Sequence, residues 1–265
     1  MIEQSPDTRN HPARGVVSSL LTPVSVKLEK LGITPNEVTI FGGISGVSLR
    51  IFSAIVHLNP ELHQFVPGWA LAVGMGSSDC LDMLDGNLAR YFDKIGKKRN
   101  KSLGPKVDVT TDRISASASY LCKAFVARQR QDLYGEAVAV GCSIFHNLPS
   151  VGRALAEQRG KVVKEGAIGS YPTRAGLDII SSSFQNDALF AGLLIQPTLD
   201  SATLAISIAT AAERFRIAMD PKVPAVLPVE VRSQAADRLS LLLGITAVSV
   251  LTAGSYWLAS HPPVS

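Results

Sequence analysis

The sequence predicts an all-α fold: a polytopic membrane bundle of six core transmembrane helices, with an extra C-terminal span and an N-terminal interfacial helix. Two observations support it. Hydrophobic residues make up 46% of the 265 residues and charged residues only 18%, against roughly 25% in soluble domains. The apolar residues form segments close to the roughly 20 residues that a membrane-spanning helix needs. The formal net charge of +4 is modest, so the expected partner is the lipid bilayer and not nucleic acid.

The N-terminal part of the chain is predicted to form one interfacial helix and two membrane spans. Residues 15–31 place apolar side chains at helical spacing with charged residues between them, which is typical of an amphipathic helix in the membrane interface. A soluble amphipathic helix would have the same pattern. Gly32 and Pro35 then mark a turn and the start of the next helix. The apolar runs at 37–58 and 66–84 are predicted as the first two spans.

Five further spans are predicted in the rest of the chain, the last of them beyond the core domain. They lie at about 107–126, 134–149, 177–195, 202–212 and 239–259. The last segment carries no charged residue and is close to the length of a membrane span. The chain is thus divided into three parts: an interfacial segment at 1–32, a membrane domain at 33–219, and a linker with the extra span at 220–265.

The basic residues predict which loops face the cytoplasm. Lys and Arg are concentrated in three stretches, at 91–106, 153–174 and 213–222. The loops at 59–67 and 196–201 have neither. Because basic loops remain on the cytoplasmic side, the first three are assigned inside and the spans alternate consistently. The exceptions to this pattern are Lys123, Arg128 and Arg130. We therefore predict a multi-pass protein of the plasma membrane whose site faces the cytoplasm.

Four aspartates lie at the boundary of the second and third predicted spans. Asp82 and Asp85 are three residues apart, and Asp108 and Asp112 are four apart. On helices these spacings place each pair on one face. A lone acidic pair is more often a solvated face, but a carboxylate in a membrane span is costly and usually functional. Four carboxylates on adjacent helices repel one another unless cations hold them, and oxygen ligands suit Mg²⁺, Mn²⁺ or Ca²⁺.

The pattern around these aspartates resembles the signature of the CDP-alcohol phosphotransferase family, DxxDGxxAR followed by GxxxDxxxD. Its positions are matched here by Asp82, Asp85, Gly86, Ala89, Arg90, Gly104, Asp108 and Asp112. The resemblance covers about residues 12–218. It implies a Mg²⁺-dependent enzyme of phospholipid biosynthesis, with Mn²⁺ as an alternative cofactor. Such an enzyme transfers the phosphatidyl group of CDP-diacylglycerol to an alcohol, releases CMP and forms a homodimer.

The resemblance also implies roles for single residues. Asp82, Asp85, Asp108 and Asp112 would bind the metal ions, and Asp112 would also serve as the catalytic general base for the attacking hydroxyl. Gly86 would let the nucleotide approach the backbone, and the Arg90 guanidinium would pair with phosphate. The implied nucleotide contacts are Asn36, Glu37, Val38, Thr39, Gly86, Arg90 and Lys101, with Ser102 as the alternative to Lys101.

The acceptor alcohol is indicated by the segment 150–176. It resembles the corresponding stretch of bacterial phosphatidylinositol phosphate synthases, where basic side chains provide positive charge for inositol phosphate. Leu155 and Tyr171 stand where that subfamily has arginine. The residues predicted to bind a phosphorylated acceptor are Arg113, Arg153 and Arg174.

Other functions remain open. Glycerol 3-phosphate as the acceptor would give a phosphatidylglycerophosphate synthase. A Mg²⁺-dependent membrane prenyltransferase also uses DxxD motifs, but it does not require the glycine and the Ala-Arg pair of the signature. A non-catalytic membrane scaffold would not require four aspartates in register. We therefore predict inositol phosphate as the acceptor and keep these three as alternatives.

Overall fold

The computed structural model describes residues 12–97, 104–163 and 195–261, with backbone only at residues 12–18, 63, 68, 72, 76, 79, 82, 105 and 195–198. Within these ranges the chain forms helices joined by turns and has no strand, which confirms the predicted all-α class. In chain order the helices are α1 Pro12–Lys30, α2 Pro35–Leu58, α3 Pro60–Phe65, α4 Gly68–Lys94, α5 Gly104–Gln129, α6 Leu133–Phe145, α7 Leu148–Gln158, α8 Ile195–Met219 and α9 Val229–Ser260.

Short polar sequences fix where the helices begin. At the start of α2 the Thr34 hydroxyl accepts a hydrogen bond from the Glu37 N–H (3.4 Å), and the Glu37 carboxylate accepts one from the Thr34 N–H (2.7 Å). This reciprocal capping box satisfies N–H groups that the helix itself leaves unpaired. Asp132 caps α6 in a similar way, by accepting a hydrogen bond from the Gly135 N–H (2.8 Å).

Helices α2, α4 and α5 carry the signature residues. α2 and α4 run antiparallel, since Thr39 in the second turn of α2 contacts Asp85 in the second half of α4. α2 and α5 run parallel, since Gly104, the first residue of α5, lies against Asn36 in the first turn of α2. We call the end of the bundle where α2 and α5 begin and α4 ends the site end.

Helices α6 to α9 complete the described bundle. α6 begins beside the end of α5, where Glu136 lies 3.8 Å from Arg128, and α7 continues toward the site end. α8 packs on α6 and α7. α9 runs parallel to α5, since Asp237 near its start pairs with Lys106 (3.4 Å) and Ser260 at its end accepts a hydrogen bond from Arg128. α9 therefore begins at the site end.

Two helices in the described ranges, α2 and α9, are long and apolar enough to cross a membrane. α2 coincides with the first predicted span, and α9 contains the predicted C-terminal span. α4 extends to Lys94 and not to 84, so that Asp85, Gly86 and Arg90 lie within one continuous helix. The predicted span at 177–195 falls outside the described residues except for Ile195. The number of spans and the domain boundaries stay predictions.

The predicted fourth span is divided into two helices. α6 ends at Phe145, and α7 begins at Leu148 and reaches Gln158. Pro149 accounts for the break, because proline has no N–H to donate to the carbonyl of Phe145 and its ring would clash with that group. The turn places His146 between α6 and α7, where its side chain meets α5.

The basic residues that break the charge pattern each have a partner on another helix or at its end, and one of these pairs is buried. Lys123 of α5 lies 2.7 Å from Asp200 of α8, and only 8% and 6% of the two side chains are exposed. Arg128 donates a hydrogen bond to the carbonyl oxygen of Ser260. Arg130 lies 3.3 Å from a histidine of α2. These three residues therefore join helices and do not argue against the predicted alternation.

We expect Lys123→Met to lower the free energy of unfolding by about 3–5 kcal/mol, because Asp200 would stay charged in a buried position without its lysine. The measurement is the midpoint of thermal unfolding in detergent micelles. The double variant Lys123→Met/Asp200→Leu should recover most of the loss, since an apolar pair often replaces a buried ion pair without cost. An unchanged midpoint in the single variant would contradict the prediction.

α1 packs against the last part of α4. The Ser25 hydroxyl donates a hydrogen bond to Oδ1 of Asn87 (2.9 Å), and both side chains are buried. Leu20 on the same helix and Leu31 directly after it are largely exposed. The helix is thus attached to the signature segment of α4 and also presents apolar side chains outward. Its position in the membrane interface stays a prediction.

Candidate functional site

The candidate site lies where the first turns of α2 meet α4 and α5. The Thr39 hydroxyl donates a hydrogen bond to the carboxylate of Asp85 and lies 3.0 Å from the carbonyl oxygen of Pro35. Both Thr39 and Asp85 are buried. Hydrogen bonds from neighbouring groups orient the carboxylates that bind metals. α2 therefore holds a signature carboxylate of α4 in a fixed orientation.

α2 approaches α5 closely at two glycines. A β-carbon added to Gly104 would lie 3.3 Å from Oδ1 of Asn36. One added to Gly43 would lie 2.0 Å from the Cγ2 methyl of Thr111. Neither position accepts a side chain unless a neighbour moves. These two contacts bring the aspartates of α5 beside the first turns of α2.

The two aspartates of α5 differ in exposure. Asp108 is half-buried and Asp112, one turn further along, is exposed. A general base must be accessible to the hydroxyl that it deprotonates. Of the two, Asp112 therefore fits the predicted role of base better, whereas Asp108 is the more enclosed carboxylate.

The structure describes three of the four predicted metal ligands. Asp82 lies on α4 three residues before Asp85, in a position described by its backbone alone. Among the described side chains, no three acidic, histidine or cysteine groups lie close enough together to bind a metal ion. Asp85, Asp108 and Asp112 offer carboxylate oxygens, which hard cations such as Mg²⁺ prefer. The residues thus fit a divalent cation, and the complete ligand set stays a prediction.

Gly86 and Arg90 lie one turn apart on α4. A β-carbon added to Gly86 would lie 3.6 Å from Nη1 of Arg90, which is an ordinary contact. The described neighbours therefore leave room for a methyl group, so packing of the described helices does not by itself require a glycine here. The exposed Arg90 guanidinium beside this space suits two-point pairing with a phosphate.

The predicted nucleotide residues of α2 divide into two kinds. Asn36 and Thr39 contact α5 and α4 at the site. The Glu37 side chain caps its own helix. The Val38 side chain packs into the core between α2 and α4, so only its backbone is available to a nucleotide.

The predicted acceptor residues that the structure describes are each held by a partner. Nη1 of Arg113 lies 3.0 Å from Nε2 of His146. Because a guanidinium only donates hydrogen bonds, Nε2 of His146 is the acceptor. Nε of Arg153 donates to Oε1 of Glu157 (2.8 Å). The predicted residues that lie outside the described ranges are Lys101, its alternative Ser102, and Arg174.

Three residues have roles at the site that the sequence did not predict. Glu157 follows Arg153 by four residues, and this helical spacing is a signal that could have identified the pair. His146 contacts α5 only because a turn interrupts the predicted fourth span. Asn87, directly after Gly86, accepts the hydrogen bond from α1. The last two contacts required the tertiary structure.

Comparison with known proteins agrees with this geometry. The family model for CDP-alcohol phosphatidyltransferase matches residues 32–212. The fold is similar to that of phosphatidylinositol phosphate synthase from Mycobacterium tuberculosis with CDP-diacylglycerol bound, with a TM-score of 0.62, 21% identity, and coverage of 79% of this chain and 98% of the other. A structure of the same enzyme with manganese and citrate gives a TM-score of 0.60, 21% identity, and coverage of 78% and 92%.

No curated protein matches the sequence. The family match nevertheless spans more than half of the chain and includes every signature position, from Asp82 to Asp112. The described part of the structure brings the two halves of that signature to one end of an all-α bundle. The chain therefore belongs to the CDP-alcohol phosphatidyltransferase family, whose members are integral membrane enzymes.

Proposed function

We propose that this protein transfers the phosphatidyl group of CDP-diacylglycerol to inositol phosphate and releases CMP, with Mg²⁺ or Mn²⁺ as the cofactor. The observation that carries the proposal is the contact of Thr39 with Asp85 beside the start of α5. The same helix α2 also contacts α5 at Gly104 and Thr111, so that α2 links the two halves of the signature. The solved relative binds CDP-diacylglycerol, and its second structure contains manganese, which supports the donor and the kind of cofactor.

The site residues have distinct roles in this reaction. A divalent cation held by Asp82, Asp85, Asp108 and Asp112 would neutralise charge on the pyrophosphate of the donor. Arg90 pairs with a phosphate of the nucleotide, and the start of α2 lines the nucleotide site. Asp112 accepts the proton of the acceptor hydroxyl. The hydroxyl oxygen then bonds to the phosphorus on the diacylglycerol side, and the bond from that phosphorus to the oxygen of CMP breaks.

The charges around the site support a phosphorylated acceptor. Arg113 lies on α5, which begins at the site end, and Arg153 lies on α7, which runs toward it. A guanidinium binds phosphate through paired hydrogen bonds. Arg174 is the third arginine in the proposal. Inositol phosphate is favoured over glycerol 3-phosphate by the resemblance of residues 150–176 to the inositol phosphate subfamily.

The cellular setting is part of the same proposal. The basic stretches at 91–106 and 153–174 support a position of the site end at the cytoplasmic face of the plasma membrane. A water-soluble acceptor and a donor anchored in lipid would meet at that boundary. We include a homodimer in the proposal because the family resemblance implies one.

The test is release of CMP from CDP-diacylglycerol in micelles containing Mg²⁺ or Mn²⁺, with inositol phosphate, glycerol 3-phosphate, inositol or serine as the acceptor. We expect turnover with inositol phosphate to exceed that with inositol by roughly tenfold or more, since a charge-assisted hydrogen bond contributes about 1.5–3 kcal/mol. Chelation of the cation should abolish CMP release.

The other outcomes distinguish the alternatives. Faster turnover with glycerol 3-phosphate would identify a phosphatidylglycerophosphate synthase. Release of pyrophosphate from a prenyl diphosphate, without CMP from any acceptor, would identify a prenyltransferase. If neither assay yields a product, the non-catalytic scaffold is the alternative that remains.

A further inference from the structure

We propose that Glu157 and Arg238 position Arg153 for the phosphate of the acceptor, so that the C-terminal helix α9 takes part in acceptor binding. This inference rests on the proposed function. It concerns α9, Val229–Ser260. This helix lies outside the family match, which ends at residue 212. Arg238 is a positioning residue in this proposal, since it acts through Glu157 and Arg153.

The first support is the geometry of the three side chains. Oε1 of Glu157 accepts a hydrogen bond from Nε of Arg153 (2.8 Å), and Oε2 accepts one from Nη2 of Arg238 (2.6 Å). The short distances are typical of charge-assisted hydrogen bonds, the second being slightly below their usual range of about 2.7–2.9 Å. The two oxygens of one carboxylate are therefore bound by guanidinium groups from two helices, α7 and α9.

The second support is the charge of this cluster. Two guanidinium groups and one carboxylate leave one net positive charge. Glu157 is largely shielded, with 12% of its side chain exposed, whereas 45% of Arg153 is exposed. An approaching anion thus meets the arginine and not the carboxylate. Without Arg238, the pair of Arg153 and Glu157 would have no net charge, and its attraction for an anion would fall.

The third support is the level of the cluster in the bundle. Val151 and Ala154, on either side of Arg153, pack with Leu239 and Leu242 of α9. Val109, the residue after Asp108, packs against the same cluster. Arg153 therefore lies at the level of the signature aspartates, where an acceptor phosphate would be. α9 fills the space beside α5 and α7 at this level.

α9 is held in this position by contacts besides the one with Glu157. Nε of Arg232 donates to the carbonyl oxygen of Gln158 (3.2 Å), and Lys106 pairs with Asp237 (3.4 Å). Removal of the Arg238 guanidinium should therefore leave α9 attached to α7. Arg232 offers a matched control, because it is the same residue type, on the same helix, and contacts the same neighbouring helix through a backbone carbonyl.

The experiment measures kcat, the KM for inositol phosphate and the KM for CDP-diacylglycerol in the full-length protein. We expect Arg238→Ala to raise the acceptor KM by about tenfold, with kcat and the donor KM within about twofold, as for the loss of a ground-state binding interaction. Arg232→Ala should leave all three constants near the wild-type values. Arg238→Lys should restore part of the acceptor affinity, because it restores the charge.

Two further variants test whether Arg238 acts through Arg153. Arg153→Ala should raise the acceptor KM at least as much as Arg238→Ala does. The double variant Arg153→Ala/Arg238→Ala should be no worse than Arg153→Ala, since residues in one network are not additive. The unfolding midpoint of each variant, compared with Arg232→Ala, reports whether the fold is intact.

Three results would overturn the inference. Independent, additive effects of Arg153→Ala and Arg238→Ala would show that Arg238 does not act through Arg153. Equal increases in both KM values, or a lowered unfolding midpoint in Arg238→Ala alone, would show that Arg238 only holds the fold. A normal acceptor KM in Arg153→Ala would remove Arg153 from the acceptor site while leaving phosphatidyl transfer intact. Absence of CMP release in the wild type with every acceptor would instead refute the proposed function, and the inference with it.

Discussion

Asp112→Asn is expected to lower the rate of CMP release by about 10²–10⁴-fold, the usual contribution of a general base. Asparagine has nearly the same shape as aspartate but cannot accept the proton of the acceptor hydroxyl. Because Asp112 is exposed on α5, the substitution should not disturb packing. The measurements are single-turnover CMP release at saturating CDP-diacylglycerol and binding of the donor, which should be retained.

The dependence on metal concentration separates the two roles predicted for Asp112. If the residue is mainly the base, the variant should need the same Mg²⁺ concentration for half-maximal rate as the wild type. If it is mainly a ligand, that concentration should rise by about tenfold or more, because removal of one carboxylate weakens a hard-cation site. Asp220→Asn is the matched control, since its side chain accepts a hydrogen bond from the Lys222 N–H outside the site. Turnover within tenfold of wild type in Asp112→Asn would contradict the role as base.

Gly43→Ala is expected to lower the rate of CMP release by about 100-fold or more, because small misplacements of reacting groups have effects of that size. The new methyl group would lie 2.0 Å from Cγ2 and 3.3 Å from Cβ of Thr111. Rotation of the Thr111 side chain relieves only the first contact, so we expect α2 and α5 to move apart. This movement separates the Thr39–Asp85 contact from Asp112, the residue after Thr111. Overpacking of this kind should also lower the free energy of unfolding by about 1–3 kcal/mol.

A second substitution should reverse the effect of Gly43→Ala. Thr111→Ser removes the Cγ2 methyl and keeps the hydroxyl, so the double variant should regain most of the lost activity and stability. Gly244→Ala is the matched control, since no atom outside its own helix turn lies within 4 Å of the added carbon. Alanine should stabilise that exposed helix by about 0.5–1 kcal/mol. Equal behaviour of the variants at 43 and 244 would show that the α2–α5 contact does not constrain the site.

The helices could be predicted from local patterns in the sequence. The capping residues Thr34 and Glu37 are adjacent to an apolar run, and the start of α2 therefore needed no tertiary information. The fourth span was harder, because the apolar run continues through a proline. Proline is tolerated in the first turn of a helix but not in its interior. The sequence therefore does not say whether the chain kinks at Pro149 or starts a new helix there.

The site was predicted in part, and the missing part has a physical cause. The signature motif identifies Asp85 and Asp108 because its residues have fixed spacings within each helix. His146 is the partner of Arg113, and Glu157 is the partner of Arg153 and of Arg238. Of these pairs, only Arg153 and Glu157 lie within one turn of each other along the same helix. Long-range partners leave no spacing signal in a single sequence.

The sequence by itself determined the all-α class, the family and the residues of the signature, because helical periodicity and motif spacing are local properties of the chain. The tertiary structure decided which helices meet. It showed that α2 lies against both α4 and α5 with Thr39 on Asp85, that Lys123 is paired with Asp200, and that α9 packs beside α7. These contacts depend on the fit of side-chain volumes and on charges between segments far apart in the chain, as at Gly43 and Thr111.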